Sequence, residues 1–403
     1  MNFEKNVDTV IIGGGNVGAA IAHHLADLGK TDVCVLERGT ISNLQGSTGH
    51  APGLVVRNNY STVMSEWADY STKLYTSLPD GGSHMELVGS IEASRHEKNT
   101  PVFEAKLAAA KSRGFKAKLL ASNEVGEMLP YVDAGKLALS LLVEGDGVVD
   151  AKSTVQSLLK NAESKGIAVH ENTEVLSITT HNSRVTAVET TGGRIACNTV
   201  VLAVGIWGAV FLEKMGVKLP LVPVQHPYLY TKAAPVLGEP TSAAVRPMFR
   251  DMDNLFYLRE HGNQFGYGWY NHAPLGAEMQ DNRAAELPYV EQVFDSKLPF
   301  DLLPVLRTLP VIDQLNGVFS MTPDGGPLLG EIDEVVGLFL AEAVWVTHAG
   351  GVGRSAAQML TGNTLTQDVS KFDANRFSSY DAQRIYADAL SLYNNIYHWP
   401  LTV

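Results

Sequence analysis

The glycines near the N-terminus limit the possible folds of this chain more than any other feature. Gly13, Gly15 and Gly18 form the pattern G-x-G-x-x-G, after an apolar run at 8–12 and before an alanine-rich stretch of helical character at 19–28. A second short apolar run, rich in valine, follows this helical stretch. The order strand, turn, helix, strand predicts two parallel strands joined by a right-handed crossover.

The same glycines predict a binding site for a dinucleotide. Gly13 permits the tight turn, Gly15 lets a pyrophosphate approach the backbone, and Gly18 allows close packing of the helix on the strand. The helix N-terminus offers free N–H groups and a positive dipole end to the phosphates. Glu37 follows 19 residues after Gly18, where a carboxylate accepts hydrogen bonds from ribose hydroxyls. An acid at this position disfavours a 2′-phosphate, so NADP is the dinucleotide least expected.

Composition narrows the classes of partner. The chain carries 43 acidic and 31 basic residues, a net charge of −12. Such a surface repels phosphate backbones and anionic lipids, so we expect no nucleic-acid partner and no membrane partner. The two cysteines, Cys34 and Cys197, exclude a disulfide framework, and no H-x-x-x-H pattern or carboxylate cluster predicts a metal site. The first residues match neither a signal peptide nor a transit peptide, so we expect a cytoplasmic protein.

Beyond the opening unit the sequence pattern changes. A helical pattern at 151–165 leads into apolar runs between 167 and 204, which predict strands that complete the first sheet. Between 221 and 319 prolines cluster and aromatic runs follow one another, as is typical of an antiparallel sheet with long loops. We therefore predict a discontinuous, Rossmann-like α/β domain for the dinucleotide at 1–85, 149–220 and 320–375. The other predicted units are an antiparallel substrate domain at 86–148 and 221–319 and a helical C-terminal tail at 376–403.

The residues after Glu37 favour FAD over NAD. Arg38 is followed by a polar, glycine-containing segment instead of another helix and strand, and FAD proteins need a loop around the isoalloxazine. Three segments, GSTGHAPGLV at 46–55, GVFSMTPDGGPLLGE at 317–331 and FLAEAVWVTHAGGVG at 339–353, resemble the flavin half of the dimethylglycine oxidase and dimethylglycine/sarcosine dehydrogenase family. The resemblance runs from residue 8 to about residue 398. It implies a D-amino-acid-oxidase-like fold, with an FAD-binding domain and an antiparallel substrate domain.

The resemblance also implies how FAD is held. His50 matches the histidine that carries FAD covalently in that family, through a bond from a ring nitrogen to the 8α-methyl carbon. A loop histidine that only contacts the flavin, or a hydrogen-bonded core histidine, is the alternative. The positions that match residues lining the cofactor are Ser47, Thr48, Gly49 and Leu54. Contacts to its phosphates and ribose are matched by Asn16, Val17, Glu37 and Arg38. The adenine end is matched by Val175, and the stretch along the flavin ring by Val344, Trp345, Val346 and Thr347.

Two residues match the catalytic pair of the family. His226 stands where the family has a histidine that faces the flavin, and Tyr257 where it has a tyrosine. Oxidation of a C–N bond requires a neutral amine, since a protonated nitrogen has no lone pair to support departure of the hydride. A histidine accepts that proton near neutral pH, and a tyrosine orients the amine. A buried structural histidine and a strand aromatic are the alternatives.

Arg57 is the candidate for a substrate carboxylate. It lies seven residues beyond His50, the spacing at which more distant monomeric sarcosine oxidases have an arginine that anchors the carboxylate. A bidentate arginine–carboxylate pair explains such a residue; a solvated surface arginine is the alternative. The glycines at 350, 351 and 353 open a helix whose N-terminus is placed either to stabilise a reduced flavin or only for close packing.

The resemblance implies FAD-dependent oxidation of a secondary or tertiary N-methyl amine, such as dimethylglycine or sarcosine. A hydride passes to flavin N5, and the iminium product hydrolyses to formaldehyde. Many relatives continue into a half that binds tetrahydrofolate; we expect this chain to lack it or to receive it as a separate subunit. Oxygen and an electron-transfer protein both remain possible acceptors. The alternatives are a flavin oxidase or dehydrogenase of primary or cyclic amino acids and a non-catalytic FAD subunit of a larger complex.

Overall fold

The structure, a computed structural model, describes residues 6–79, 85–279, 287–294 and 298–399. Its strands are β1 (Thr9–Ile12), β2 (Val33–Leu36), β3 (Leu54–Val55), β4 (Met85–Glu86), β5 (Ser90–Ser94), β6 (Ala117–Leu119), β7 (Leu139–Val143), β8 (Gly147–Val149), β9 (Ala168–His170), β10 (Val175–His181), β11 (Arg184–Thr190), β12 (Gly193–Ala196), β13 (Thr199–Leu202), β14 (Val222–Thr231), β15 (Met248–Asp251), β16 (Phe256–His261), β17 (Gln264–Trp269), β18 (Val311–Met321), β19 (Leu328–Glu331) and β20 (Leu338–Glu342). Its α-helices are α1 (Asn16–Asp27), α2 (Gly46–Gly49), α3 (Thr62–Ser77), α4 (Thr100–Ser112), α5 (Ser122–Met128), α6 (Ala151–Ser164), α7 (Gly208–Glu213), α8 (Glu291–Phe294), α9 (Val346–Thr361) and α10 (Ala382–Tyr393).

A six-stranded sheet in the order β19-β20-β13-β1-β2-β9 forms the first half of the fold. All its pairs are parallel except β19 with β20. β1 and β2 read TVII and VCVL and are buried throughout, as strands covered on both faces must be. Helix α1 packs against α6 and α9. This arrangement confirms the Rossmann-like α/β class predicted from the glycine pattern.

One expectation about this sheet is wrong. The runs at 174–179 and 184–190 do not extend it but form, with β12, a separate three-stranded antiparallel sheet in the order β10-β11-β12. In β10 only Val175 and Ile178 are buried. A strand with one solvated face suits an antiparallel ribbon, whereas β1 and β2 of the parallel sheet are buried along their whole length.

An eight-stranded sheet, in the order β18-β14-β17-β16-β15-β5-β7-β6, forms the second half of the fold. Its neighbours are antiparallel except β5 and β15, which run parallel. Its strands come from 90–143 and 222–321, so β18 crosses the predicted boundary at residue 319. The domain boundaries stay predictions. Within the part of the chain described above, no helix has the length and apolar character needed to cross a bilayer.

Two glycines of α9 serve close packing of helices. A Cβ on Gly351 would lie 2.5 Å from the Cα of Trp67 in α3, and a Cβ on Gly353 would lie 2.6 Å from the Cβ of Ala20 in α1. Close packing of α9 against α3 and α1 is therefore sufficient to explain Gly351 and Gly353.

The variant Gly351→Ala is expected to lower the free energy of unfolding by about 1–3 kcal/mol, the usual cost of overpacking a rigid contact. Chemical denaturation measures this loss. Gly126→Ala is the matched control, because Gly126 also lies within a helix, α5, and a Cβ there would meet only the Cβ of Ala134, at 3.7 Å. We expect this control to be neutral or stabilising, by up to about 1 kcal/mol, from helix propensity. Equal losses in both variants would contradict the packing argument.

Candidate active site

A cavity of about 990 Å³ lies where the two large sheets meet. One wall consists of the segments that follow the carboxyl ends of β1, β2, β13 and β20, the edge at which open α/β sheets bind ligands. The opposite wall is a face of the eight-stranded sheet, with side chains from β5, β14, β15, β16 and β18. The cavity therefore combines a dinucleotide-type edge with a polar and aromatic sheet face.

The turn after β1 has the shape that a pyrophosphate needs. Gly13 has a φ of +103°, and a Cβ there would lie 2.4 Å from the carbonyl oxygen of Ala203. A Cβ on Gly18 would lie 1.9 Å from the carbonyl oxygen of Gly13, so the helix and the turn meet without side chains. Gly15 is the N-cap of α1 and supplies no side-chain cap. The turn and the helix N-terminus thus fit the phosphates of FAD.

Glu37 lies at the end of the cavity where the ribose of a dinucleotide is expected. Its two carboxylate oxygens accept the backbone N–H groups of Gly14 at 2.8 Å and of Gly39 at 2.9 Å, which fixes the acid at the end of β2. The guanidinium of Arg38 lies 3.8 Å from the ring centre of Trp207. Glu37, Arg38, Trp207 and Val175 all line this end of the cavity.

The loop around α2 and the start of α9 line another part of the cavity, on the side of the six-stranded sheet. The Ser47 hydroxyl donates to the carbonyl oxygen of Val318 at 2.8 Å, and the Thr48 hydroxyl accepts the backbone N–H of Asn16 at 3.2 Å. The Thr347 hydroxyl donates to the carbonyl oxygen of Leu54 at 3.1 Å. The predicted cofactor residues on the cavity are Gly13, Gly15, Asn16, Val17, Glu37, Arg38, Ser47, Thr48, His50, Leu54, Val175, Val344, Trp345, Val346 and Thr347.

Gly18 and Gly49 are the predicted cofactor residues that lie behind the wall. A Cβ on Gly49 would lie 2.1 Å from the carbonyl oxygen of Leu44. Both glycines shape the backbone that carries the contacts instead of lining the cavity.

His226 and Tyr257 meet on the opposite wall. The Nε2 atom of His226 lies 2.7 Å from the Tyr257 hydroxyl, and the His226 side chain is 3% exposed. Burial, and then the nearby His272, lower the pKa of His226 well below its usual value. Burial and the neighbouring tyrosines raise the pKa of Tyr257 well above its usual value. Both groups are therefore neutral at pH 7.

Strand β17 leaves room for this pair. Gly268 pairs in register with Tyr257 on one side and Tyr228 on the other. A Cβ on Gly268 would lie 2.5 Å from the Tyr257 hydroxyl oxygen. The ring of Tyr257 consequently reaches across β17 to His226.

Tyr393 and His272 extend this pair, although no sequence pattern pointed to either residue. The Tyr393 hydroxyl lies 2.6 Å from Nδ1 of His226 and 2.9 Å from Nε2 of His272. Tyr393 ends helix α10, 167 residues from His226. The helical pattern of the tail was visible in the sequence, but no local spacing connects it with β14.

A buried ion cluster was also missed. Lys106 and Arg250 both pair with Glu92, and the Arg250–Glu92 distance is 2.9 Å. These two cations lower the pKa of Glu92, although burial acts in the opposite direction. Glu92, Arg250 and Tyr257 are register partners on β5, β15 and β16, so they lie side by side on the cavity face. Two cations share one carboxylate, which leaves an excess of positive charge beside Tyr257.

Arg57 does not line the cavity. Its guanidinium lies 2.9 Å from Asp69 and 3.4 Å from Asp146, and stacks on Phe115. With an exposed fraction of 13% it is not a solvated surface arginine either. Two carboxylates already compensate its charge, so its position gives no support to a role as carboxylate anchor.

Among the residues that the structure describes, one cluster of metal-ligand type lies outside the cavity. The donor atoms of His23, His24 and Asp27 on α1 lie within 4.8 Å of one another. Lys165 already forms an ion pair with Asp27, and burial lowers the pKa of His24 to about 3. The expectation of no bound metal stays a prediction.

Two curated relatives show what this chain is similar to. A 4-methylaminobutanoate oxidase (formaldehyde-forming) of Paenarthrobacter nicotinovorans is 28% identical, over 98% of this chain and 49% of that protein. The mitochondrial dimethylglycine dehydrogenase of Rattus norvegicus is 26% identical, over 99% of this chain and 48% of that protein. The chain thus spans about half the length of these curated relatives.

The fold also has a solved counterpart. The crystal structure of L-proline dehydrogenase from P. horikoshii superposes with a TM-score of 0.81 at 21% identity, over 94% of this chain and 99% of that one. The family model for FAD dependent oxidoreductases, DAO, matches residues 8–359. This chain belongs to the DAO family of FAD dependent oxidoreductases.

Proposed function

We propose that the chain catalyses FAD-dependent oxidative N-demethylation of a secondary or tertiary N-methyl amine that carries a carboxylate. The neutral His226–Tyr257 pair, next to an ion cluster with excess positive charge on the same cavity face, supports oxidation of an amine that carries a carboxylate. The N-methyl group in this proposal rests on the similarity to the 4-methylaminobutanoate oxidase and the dimethylglycine dehydrogenase. An N-methylated amino acid such as dimethylglycine or sarcosine has the matching groups, an amine and a carboxylate separated by a short carbon chain.

The bound FAD would supply the acceptor for the hydride that leaves the carbon beside the nitrogen. Its phosphates would lie at the turn of Gly13 and Gly15, and its ribose at Glu37. We also propose that His50 carries it covalently, since His50 lines the cavity and matches the attachment site of the resembling family.

The chain's own residues prepare the amine. Tyr257 is neutral, so its hydroxyl oxygen offers a lone pair toward a proton held by the substrate nitrogen, and the neutral His226 accepts the Tyr257 hydrogen at Nε2. Removal of this proton restores the nitrogen lone pair that supports C–H cleavage. Because burial disfavours a charged His226, this side chain passes the proton on more readily than it retains it.

The ion cluster of Glu92, Lys106 and Arg250 would position the carboxylate of the substrate. Arg250 presents a planar fork for a bidentate contact, and Lys106 adds a second cation in the same wall. A substrate carboxylate at this place neutralises the excess charge that Glu92 leaves. The amine then faces Tyr257, the register neighbour of Arg250.

The first experiment separates this proposal from its rivals. We expect anaerobic dimethylglycine, sarcosine or 4-methylaminobutanoate to remove the visible absorbance of the flavin, with one formaldehyde formed per flavin reduced. Proline and glycine serve as comparison substrates, because the same pair and ion cluster would also suit a cyclic or primary amino acid. Reduction by these two with ammonia or a ring imine, and no formaldehyde, would establish the rival oxidoreductase. No reduction by any amine would indicate a non-catalytic FAD subunit.

The electron acceptor and a folate partner need separate assays. Reoxidation by air and by an artificial electron carrier distinguishes oxygen from an electron-transfer protein. Addition of tetrahydrofolate, with and without candidate subunits, tests whether the formaldehyde is captured.

The wild-type protein is expected to react faster with an amine that carries a carboxylate than with one that does not. Dimethylglycine and N,N-dimethylethanolamine share a skeleton but only the first has a carboxylate. A charge-assisted hydrogen bond contributes about 1.5–3 kcal/mol, so we expect roughly 10- to 100-fold better reduction by dimethylglycine, measured as the second-order rate constant. Arg250→Lys keeps the charge but loses the fork, and is expected to reduce this ratio. Equal rates for both amines in the wild type would contradict the anchor.

A further inference from the structure

Four polar side chains form an unbroken row from the cavity to the protein surface. The Tyr257 hydroxyl lies 2.7 Å from Nε2 of His226, and Nδ1 of His226 lies 2.6 Å from the Tyr393 hydroxyl. The Tyr393 hydroxyl lies 2.9 Å from Nε2 of His272, whose Nδ1 lies 2.8 Å from the carbonyl oxygen of Ala273. The first three side chains are buried, and His272 is half-buried.

The carbonyl of Ala273 fixes the direction of every hydrogen bond in this row. A carbonyl only accepts, so Nδ1 of His272 carries a hydrogen, and Nε2 of a neutral His272 accepts from Tyr393. Tyr393 has a single hydrogen, so it accepts from Nδ1–H of His226. Nε2 of His226 is then left to accept from Tyr257, and all donors point away from the cavity. The Tyr257 oxygen keeps a lone pair for a donor in the cavity.

We propose that Tyr393 and His272 complete an outward proton relay, which takes the proton lost by the substrate amine from Tyr257 and His226 to the half-buried His272. The inference rests on the proposed amine oxidation. In this scheme Tyr257 touches the substrate. Tyr393 and His272 do not touch it but act through Tyr257 and His226, as positioning and relay residues.

Each transfer breaks one bond to hydrogen and forms another. The ammonium gives its proton to the Tyr257 oxygen while the Tyr257 hydrogen moves to Nε2 of His226. The Nδ1 hydrogen of His226 moves to Tyr393, and the Tyr393 hydrogen moves to Nε2 of His272. The amine becomes neutral, His272 becomes an imidazolium, and the other three stay neutral. The reverse sequence protonates the product amine and restores the original directions.

The side chains around the relay favour transfer of the proton through His226 over its retention there. Tyr257, Tyr270 and Tyr393 face His226, together with the apolar ring of Phe319. His272 is faced by Tyr393 and by the ring of Phe294. No carboxylate is among these described neighbours, so nothing there holds a positive charge at His226. His272 reaches solvent and can release it.

The variant Tyr393→Phe breaks one link and leaves the catalytic pair intact. In the wild type, a bound ammonium loses its proton inside the complex, so the limiting rate of flavin reduction stays high below the pKa of the free amine. In Tyr393→Phe only amine that arrives neutral reacts. We expect the acid limb of the pH profile to move up toward the pKa of the free amine, with a loss of roughly 10²-fold at pH 7. The plateau at high pH is expected to be retained.

His272→Ala should move the acid limb in the same direction, and added imidazole should partly reverse the change because this site reaches solvent. Tyr386→Phe is the matched control, since it removes a hydroxyl from the same helix at a side chain that is 49% exposed. An unchanged acid limb in Tyr393→Phe would overturn the relay. So would an equal loss of rate at every pH, which indicates a structural role for the hydroxyl.

A second measurement does not depend on activity. Nitrogen NMR of histidine-labelled wild-type protein is expected to show His226 and His272 as Nδ1–H tautomers, and Tyr393→Phe should alter the His226 resonances. A proton on Nε2 of neutral His226 would overturn the outward direction. If no amine reduces the flavin but both tautomers are found, amine oxidation fails while the arrangement of the row stands.

Discussion

The flavin of the variant His50→Ala is expected in the supernatant after acid precipitation, whereas wild-type flavin is expected in the pellet. Acid unfolds the protein and releases any cofactor held only by contacts, but it leaves a bond between imidazole and the 8α-methyl carbon intact. His50 lines the cavity at the end of α2. Absorbance of the two fractions measures the change, which is expected to be nearly complete.

A second histidine of the same cavity provides the control. Burial lowers the pKa of His348 to about 4, so its side chain is neutral like an attacking imidazole must be. We expect His348→Ala to keep its flavin in the pellet. Wild-type flavin in the supernatant would show that His50 only contacts the cofactor, and FAD binding itself would be unaffected by that result.

Flavin reduction is expected to slow by roughly 10²-fold in His226→Ala and in Tyr257→Phe, the usual effect of a lost acid–base group. His226 accepts from Tyr257 and is buried among aromatic rings, so no other described side chain takes its place at this distance. Stopped-flow absorbance under anaerobic conditions measures the rate. Circular dichroism and flavin content show whether each variant is folded.

His226→Gln guards against a folding defect, because an amide retains hydrogen bonding without basicity. Tyr230→Phe is the control on the same strand, outside the cavity. We expect its reduction rate to match the wild type. Wild-type rates in both His226 variants would contradict the assignment of this histidine.

The pH dependence expected from the structure differs from that expected from the sequence. The sequence analysis took His226 as a base that titrates near neutrality. Burial lowers the pKa of His226 well below its usual value, so it stays neutral as the pH rises from 6 to 9. Under the proposed function, we expect the pH dependence to come from the substrate amine. Sequence alone gives no measure of burial, which is the largest cause of this shift.

The opening strand, turn and helix were predictable because their determinants are local. Gly13, Gly15 and Gly18 specify the turn within six residues, and the apolar runs specify the strands. The split of the strands between 167 and 204 into two sheets was not predictable in this way. The runs of β10 and β13 differ mainly in the alternation of exposed positions. β10 pairs with β11, which follows it directly, whereas β13 pairs with β1 and β20, which are far along the chain.

The surroundings of the arginines were not predictable for a related reason. Arg57 and Arg250 are both followed by polar residues, and only the register of β5, β15 and β16 places Arg250 on the cavity face. The spacing from His50 to Arg57 suggested a carboxylate anchor, but Asp69 and Asp146 already occupy that guanidinium. Charge pairs between distant segments cannot be inferred from spacing within one segment.

The position of Tyr393 has a consequence for the order in which the protein matures during synthesis. A ribosome releases the dinucleotide turn first, then β14 and β16, and helix α10 much later. A nascent chain can therefore fold its cofactor turn and its histidine-bearing strand while Nδ1 of His226 still lacks the Tyr393 hydroxyl. Under the proposed relay, rapid proton removal from a bound ammonium would therefore wait until α10 has left the exit tunnel and packed against β14.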